Sequence, residues 1–251
     1  MKKLLSVKSL KKHFPVYGGL LSKQVGQVKA VDGVTFDIHE GEILGLVGES
    51  GCGKTTVGRM TLRLMPPTSG TVTYQDADIF SLNRRELAKL RPKMQIIFQD
   101  PYSSLNPRFT IKQIIGEAIS IHRKINGKEL QEKVESLMEK VGLSPMYLNR
   151  YPHEFSGGQR QRIGIARALG LEPRYIVCDE PVSALDVSIQ AQIINLLQKL
   201  QQEENLSMLF ISHDLNVVKH LSQRTAVMYL GKIVETAHTE QINNHSAHPY
   251  T

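Results

Sequence analysis

A glycine-rich stretch that ends in lysine and threonine has the composition of a loop that binds phosphate. It fits the spacing GxxxxGK[ST] with the residues Gly48, Glu49, Ser50, Gly51, Cys52, Gly53, Lys54 and Thr55. Glycines let backbone N–H groups curl around phosphate oxygens, and a helix that begins there directs its positive end at them. Lys54 would then reach the β- and γ-phosphates of a nucleotide, and the Thr55 hydroxyl would bind Mg²⁺. We predict that residues 48–56, which include Thr56, bind nucleotide; an ordinary glycine turn is the alternative.

Two adjacent carboxylates, Asp179 and Glu180, follow the apolar stretch Tyr175–Cys178. An aspartate at the carboxyl end of a strand beside a phosphate loop is placed to hold Mg²⁺ through water. Glu180 points to the other face of the chain and could polarise an attacking water. The pair is therefore a candidate metal ligand and a candidate general base, with an acidic cap at a strand end as the alternative.

A second candidate anion site begins a predicted helix and consists of Ser156, Gly157, Gly158 and Gln159. A Ser-Gly-Gly helix start exposes backbone N–H donors. One nucleotide does not need two such sites from one chain at this separation. A second chain would explain it, each protomer offering its Ser156 loop to the phosphates of the other. A plain N-capped helix also accounts for Ser156.

Apolar runs and helical periodicity around these motifs predict strands that alternate with helices. This alternation favours parallel pairing with right-handed crossovers. Residues 111–149 show only helical spacing and predict a helical subdomain inserted into an α/β core. The predicted strands are Leu4–Val7, Val31–Ile38, Ile43–Val47, Val72–Tyr74, Gln95–Phe98, Tyr175–Cys178 and Met208–Ile211, with a break at Gly18-Gly19. The predicted helices include Val57–Leu64, Gln159–Gly170 and Val187–Glu204.

Composition excludes several classes of protein. No run of about 18 or more apolar residues occurs, so no transmembrane helix is predicted. The two cysteines, Cys52 and Cys178, belong to no CxxC pair, which argues against a zinc site or a disulfide framework. The net charge of +7 is spread along the chain, so it does not favour a nucleic-acid partner over a solvated surface.

The three motifs, in this order and spacing, resemble the ATP-binding cassette (ABC) family over essentially the whole chain. The resemblance implies an α/β fold, with a P-loop NTPase core of mainly parallel sheet, an N-terminal antiparallel β part and an inserted α-helical subdomain. Residues 1–251 would form a single ABC ATPase domain, with the core in 1–110 and 152–251. The helical insert would occupy 111–151, and the signature loop 155–159.

The resemblance also implies roles for individual residues, with ATP and Mg²⁺ as the ligands. Gln99 matches the glutamine that senses Mg²⁺ and the γ-phosphate, and His213 matches the histidine that holds the γ-phosphate and the water. Residues 183–186 match the loop that crosses a dimer interface. The catalytic set is thus Glu180, His213 and Gln99, and the metal-binding set is Thr55, Gln99 and Asp179. At the position of the aromatic residue that stacks on adenine this chain has Val25, with Phe14 and Tyr17 upstream as substitutes.

Four further segments are similar to the ATPase subunits of oligopeptide, dipeptide and nickel importers: residues 28–34, 99–108, 151–154 and 248–251. This branch implies uptake of oligopeptides or dipeptides driven by ATP at the cytoplasmic face of the membrane, where the chain would be peripheral. The implied partners are a homologous, non-identical ABC ATPase subunit, two transmembrane permease subunits and, indirectly, an extracytoplasmic binding protein. Import of nickel or another metal complex, a soluble ABC ATPase of translation or DNA repair, and a regulatory module without turnover are the alternatives.

Overall fold

The computed structural model describes residues 2–18 and 23–251, and the chain divides into two compact units. The first unit comprises residues 1–87 and 207–251, and the second comprises residues 88–206. Helix α2 (Arg84–Leu90), which the sequence did not predict, runs across this boundary. The phosphate-loop motif therefore belongs to the first unit, and the Ser156 and Asp179-Glu180 motifs belong to the second. The boundaries 111–151 of a helical insert within one domain stay a prediction.

An antiparallel sheet of strand order β2-β1-β4-β5 forms part of the first unit. Its strands are β1 (Lys3–Gly18), β2 (Lys23–His39), β4 (Ser69–Tyr74) and β5 (Ala77–Asp78). Apolar side chains such as Leu5, Val7 and Leu10 of β1 are buried. The predicted strands Leu4–Val7 and Val31–Ile38 are confirmed, but each is part of a longer strand, β1 and β2 respectively. Gly18, predicted as a break, is the last residue of β1, and Gly19 lies outside the described residues.

A second set of strands in the first unit carries the phosphate loop. Strand β3 (Ile43–Val47) pairs in parallel with both β8 (Ser207–Ser212) and β9 (Arg224–Tyr229). Strand β10 (Lys232–His238) pairs antiparallel with β9. All five residues of β3 are buried, as expected for a continuous apolar run in a parallel sheet. The helices of this unit are α1 (Lys54–Thr61), α8 (Leu215–Leu221) and α9 (Thr239–Asn244).

The second unit combines a parallel strand pair with helices. Strands β6 (Met94–Ile97) and β7 (Tyr175–Asp179) are parallel neighbours. The helices are α3 (Pro101–Ser104), α4 (Ile111–Arg123), α5 (Gly127–Lys140), α6 (Gly157–Leu169) and α7 (Val187–Glu204). Short 3-10 turns lie at Arg91–Lys93, Pro145–Tyr147 and Pro152–Glu154. The prediction of α7 is confirmed at both ends, and α4 and α5 confirm the helical character of residues 111–149.

Local sequence explains why α4 begins where it does. Thr110 and Gln113 form a capping box, in which the Thr110 N–H donates to the Gln113 amide oxygen over 2.8 Å. Ile114, Ile115 and Ile119 then form the buried face of the helix. Helix α4 packs on α5 and α6, so it supports the helix that follows Ser156. No helix of the described residues is long and apolar enough to cross a membrane.

Candidate functional site

The phosphate loop connects the carboxyl end of β3 to helix α1, as predicted. Gly53 is the N-cap of α1 and has a φ of 111°, a conformation that residues with a side chain rarely adopt. A Cβ atom on Gly53 would lie 2.0 Å from the carbonyl oxygen of Ala30. The loop therefore depends on a glycine at the point where its backbone meets β2.

Lys54, the first residue of α1, is withdrawn from water and directed back over the loop. Only 4% of the residue is exposed. Its Nζ donates hydrogen bonds to the carbonyl oxygens of Gly48 (2.7 Å) and Glu49 (2.8 Å). An ammonium held this close to the start of a helix can form charge-assisted hydrogen bonds to phosphate oxygens. Thr55 and Thr56 follow it in the first turn and are half-buried, so the loop fits a polyphosphate.

Both cysteines are free and buried. Cys52 lies within the phosphate loop, and burial raises the pKa of its thiol. Cys178 lies in β7, where burial also raises the thiol pKa, with a smaller contribution from the charge of Asp179. Both side chains therefore stay neutral thiols, and the Cys52 sulfur accepts a hydrogen bond from Lys54 Nζ over 4.0 Å.

His213 follows the carboxyl end of β8, at the same edge of the sheet at which the phosphate loop begins. Val47, the last residue of β3, is opposite Ser212, the last residue of β8. The next residues, Gly48 and His213, therefore follow the carboxyl ends of two neighbouring parallel strands, where open α/β sheets bind their ligands. His213 is exposed, and Asp214 caps α8 after it. The first unit thus brings the predicted histidine to the edge that carries the loop.

Gln99 and Glu180 are brought together in the second unit. Ile97 of β6 is opposite Cys178 of β7, so the two chains leave the strand pair at one edge. The Nε2 atom of Gln99 donates a hydrogen bond to Oε2 of Glu180 over 3.1 Å. This contact orients the carboxylate that the sequence identified as the candidate base.

Asp179 and Glu180 differ in burial and in backbone conformation. Asp179 ends β7 and is 3% exposed, whereas Glu180 is half-buried. Glu180 has a φ of 46°, which is uncommon for a residue with a side chain and costs on the order of 1–3 kcal/mol. The turn places two adjacent carboxylates in different surroundings, which suits one for a metal and the other for a proton.

The Ser156 loop begins α6 with a capping box. Gln159 N–H donates to the Ser156 hydroxyl over 3.4 Å, and Ser156 N–H donates to the Gln159 amide oxygen over 3.0 Å. Ser156 and Gly157 are exposed. A Cβ atom on Gly158 would lie 2.4 Å from a methyl group of Ile189 in α7, so glycine is needed there for packing. The cap explains Ser156 locally, while its exposure leaves the loop accessible to a second molecule.

The predicted interface loop, residues 183–186, forms hydrogen bonds with the backbone of the candidate base, Glu180. Both the hydroxyl and the N–H of Ser183 donate to the carbonyl oxygen of Glu180, over 3.1 Å and 3.3 Å. Asp186 is exposed and is the N-cap of α7. A displacement of this loop would therefore act on the residue that holds the candidate base.

Two arginines of α6 contact the segment that follows Gln99, and the sequence did not point to either. Arg160 lies 5.0 Å from the Tyr102 ring centroid and donates to the Pro152 carbonyl oxygen over 2.8 Å. Arg167 donates to the Ser104 carbonyl oxygen over 2.6 Å. Burial lowers the pKa of Arg167. These contacts connect the helix of the Ser156 loop to the segment after β6.

The candidates for stacking on adenine all lie on the β1–β2 hairpin. Phe14 and Tyr17 are exposed on β1, and Val25 is exposed on β2. Lys12 places its Nζ 5.2 Å from the Phe14 ring centroid. The stacking residue stays a prediction among these three.

Tyr250 contacts the phosphate loop, although the sequence did not mark it as a site residue. Its hydroxyl accepts a hydrogen bond from the backbone N–H of Glu49 over 3.0 Å, across 201 residues of sequence. The sequence feature that could have drawn attention to Tyr250 was the similarity of residues 248–251 to one group of importers. That similarity indicated a branch of a family and did not indicate a contact.

Comparison with known proteins identifies related sequences over nearly the whole chain. Residues 31–183 match the family model described as ABC transporter. The chain is 55% identical over 249 residues to the oligopeptide transport ATP-binding protein AppF of Bacillus subtilis (strain 168), covering 99% of this chain and 76% of that protein. It is 53% identical over 253 residues to the oligopeptide transport ATP-binding protein OppF of Escherichia coli (strain K12), covering 100% and 76%.

Comparison of structures gives a consistent result. The fold is similar to a dimeric ATP-binding cassette in a post-hydrolysis state bound to ADP and Pi, with a TM-score of 0.82 and 27% identity. The match covers 94% of this chain and 99% of the other. The α/β architecture predicted from the sequence is confirmed.

Proposed function

Because the chain belongs to the ABC transporter family, we propose that this ATP-hydrolysing subunit powers an importer of oligopeptides or dipeptides. The observation that carries the proposal is the 53–55% identity to two oligopeptide transport ATP-binding proteins over 99–100% of the chain. Family membership accounts for the binding and hydrolysis of ATP. The names of the relatives support the class of cargo.

The phosphate loop is the proposed binding site for the nucleotide phosphates. The residues assigned to it are Gly48, Glu49, Ser50, Gly51, Cys52, Gly53, Lys54, Thr55 and Thr56. Lys54 supplies the cation, and the amino end of α1 supplies backbone donors and a favourable dipole. The hydrogen bonds from Lys54 to its own loop support this role, because the ammonium is already held where phosphate oxygens would arrive.

The proposed ligands for Mg²⁺ are Thr55, Gln99 and Asp179, all of which offer oxygen atoms. Mg²⁺ prefers such hard donors and, in nucleotide sites, uses one or two carboxylates together with substrate phosphates. Because Nε2 of Gln99 donates to Glu180, the amide oxygen is the atom of Gln99 that suits a cation. When bound, Mg²⁺ would neutralise charge on the phosphates.

Glu180 is the proposed general base for the attacking water. Its contact with Gln99 supports this role, since a base must be held in one orientation to accept a proton. His213 is proposed to hold the γ-phosphate and the water, and its place at the sheet edge beside the phosphate loop supports the assignment.

Two cassettes are proposed to close around ATP, each offering Ser156, Gly157, Gly158 and Gln159 to the nucleotide of the other. The exposure of Ser156 at the start of α6 supports this arrangement. ATP binding would favour the closed dimer, and hydrolysis with product release would reopen it.

The proposed partners are a homologous, non-identical ATPase subunit, two transmembrane permease subunits and, indirectly, an extracytoplasmic binding protein. The chain would then lie at the cytoplasmic face of the membrane as a peripheral subunit. Residues 99–108 are the proposed contact with a permease. Tyr102 is 61% exposed there, and Asn106, Pro107 and Arg108 are also exposed.

The assignment is tested by isolating the tagged chain from detergent-solubilised native membranes and identifying the co-purifying proteins by mass spectrometry. We expect two polytopic membrane proteins and a second ABC ATPase. The purified complex, reconstituted with its binding protein in liposomes, should take up labelled oligopeptides when ATP is supplied, and should do so in preference to Ni²⁺ complexes. Recovery of ribosomes or of no membrane protein would contradict the transporter assignment, and uptake of Ni²⁺ alone would contradict the cargo.

A further inference from the structure

We propose that Tyr250 is a positioning residue for ATP binding, whose hydroxyl holds the phosphate loop in the conformation that receives the phosphates. The inference rests on the proposed role of residues 48–56 in binding ATP. It adds to that role a residue about two hundred positions away in the chain, together with the segment that carries it.

The contact is a hydrogen bond from the backbone N–H of Glu49 to the Tyr250 hydroxyl, 3.0 Å long. The Tyr250 ring packs against the ring of Tyr229, with 4.3 Å between centroids and a tilt of 40°. Tyr229 is the last residue of β9, which is paired in parallel with β3, the strand that leads into the phosphate loop. Tyr250 is thus fixed to the sheet that carries the loop and touches the loop from there.

The segment that carries Tyr250 is itself held in place by one carboxylate. Glu235 of β10 accepts hydrogen bonds from the N–H groups of Ala247 (2.7 Å) and His248 (3.1 Å). These hydrogen bonds, that from Ala247 foremost, lower the pKa of Glu235. The N–H of Tyr250 then donates to Nδ1 of His248 over 3.2 Å. Several hydrogen bonds therefore set the direction of the tyrosine.

The role follows from what Lys54 must do when ATP binds. Its Nζ donates to the carbonyl oxygens of Gly48 and Glu49, and a phosphate would compete for the same ammonium. The Glu49 N–H bond to Tyr250 does not involve Lys54, and neither does the bond from Gly231 N–H to the Cys52 carbonyl oxygen (3.0 Å). Both can persist while Lys54 changes partner. Tyr250 therefore keeps residue 49 in place and lowers the conformational cost of binding phosphate.

The test is Tyr250→Phe, which removes the hydroxyl and keeps the ring, with Tyr229→Phe as the matched control. Among the described residues the Tyr229 hydroxyl has no hydrogen-bond partner, so the control removes the same atom from the same ring pair. Titration of the purified protein with fluorescent ATP and ADP should show a Kd about three- to tenfold higher for Tyr250→Phe. Tyr229→Phe should bind as the wild type does.

A kinetic comparison separates positioning from general destabilisation. In the purified complex, KM for ATP should rise with Kd while kcat stays within about twofold, because the hydroxyl acts on the loop and not on the reacting atoms. The urea midpoint of unfolding should not change. Tyr250→Ala, which also removes the ring, should raise Kd at least as far.

Lys54→Ala, measured in the same titration, distinguishes the two possible failures. If Lys54→Ala weakens ATP binding and Tyr250→Phe does not, the positioning role is wrong and the proposed phosphate loop stands. The positioning role is also wrong if Tyr229→Phe weakens binding as much as Tyr250→Phe. If Lys54→Ala binds ATP normally, the proposed function of the loop itself is wrong.

Discussion

At the scale of single residues, the proposed general base Glu180 has an unusual backbone conformation and a defined hydrogen-bond partner. Its φ of 46° turns the chain directly after β7, and the Gln99 amide lies 3.1 Å from one of its carboxylate oxygens. Strained backbone that is kept in place by its surroundings is characteristic of functional sites. Here the turn at Glu180 leaves its side chain half-buried, whereas the side chain of the adjacent Asp179 is buried.

Replacement of Glu180 by Gln tests the general base. Glutamine keeps the length of the side chain and an oxygen that can accept the Gln99 hydrogen bond, but it removes the proton acceptor. We expect steady-state hydrolysis by the assembled complex to fall by about 10²- to 10⁴-fold. Affinity for ATP should be retained, as measured by equilibrium titration. A Glu180→Gln complex that releases phosphate at the wild-type rate would exclude this residue as the base.

At the scale of elements, an exposed carboxylate in the segment between α6 and β7 forms ion pairs with two helices. Glu172 forms ion pairs with Arg123 of α4 and Lys133 of α5, each 2.7 Å long. The hydrogen bond from Arg123, and then that from Lys133, lowers the pKa of Glu172 to about 2. One carboxylate thus connects two helices of residues 111–149 to the chain between α6 and β7.

The lowered pKa of Glu172 leads to a prediction about pH. Because the folded pKa is below the usual value of 4.5, the stabilisation is complete above about pH 4.5 and is lost as pH falls towards 2. The Glu172 side chain is 51% exposed, so solvent screening limits the effect to about 0.5–1 kcal/mol. The difference in urea unfolding free energy between wild type and Glu172→Gln should be largest near pH 7 and should shrink below pH 4.5.

Glu203→Gln is a suitable control, since Glu203 pairs with a single lysine, Lys199, over 3.7 Å on the surface of α7. We expect a smaller change at pH 7, within about 0.5 kcal/mol. A loss of stability in Glu172→Gln that persists unchanged at pH 3 would show that the ion pairs are not its cause.

For the whole molecule, the proposed function requires a second cassette. The Ser156 loop is exposed and capped within its own chain, so its local structure does not depend on a partner. This independence allows the role in dimer closure to be separated from the role in folding. The helix cap can be kept while the charge at position 156 is changed, which is the charge that would face a nucleotide on another chain under the proposed function.

The comparison of Ser156→Asp with Ser156→Asn tests the dimer. Both residues cap helices about as well as serine, so the folded chain should be unaffected. Aspartate adds a negative charge that would repel a phosphate, whereas asparagine does not. In a Glu180→Gln background, ATP should drive association of the Asn variant with the co-purifying ATPase subunit. The Asp variant should associate at least about tenfold more weakly in analytical ultracentrifugation. Equal association of the two variants would contradict the proposed position of this loop.

The order of residues along the chain was sufficient for several features that depend on neighbours in sequence, although not for all of them, since helix α2 was missed. The phosphate loop, the strand Ile43–Val47 and helix α7 follow from local spacing, because glycine conformations, apolar runs and helical periodicity act over a few residues. Gln99 and His213 needed the additional information of a resemblance. As isolated polar residues after strands, they carry no local signal.

Only the tertiary structure decided which of these residues touch. Gln99 reaches Glu180 because Ile97 is opposite Cys178, and a shift of one residue in this pairing would turn every side chain of the shifted strand to the other face. Tyr250 reaches Glu49 across 201 residues because the β9–β10 hairpin holds its segment. Contacts of this range depend on strand register and on the packing of distant segments. Neither is encoded in the spacing of a motif.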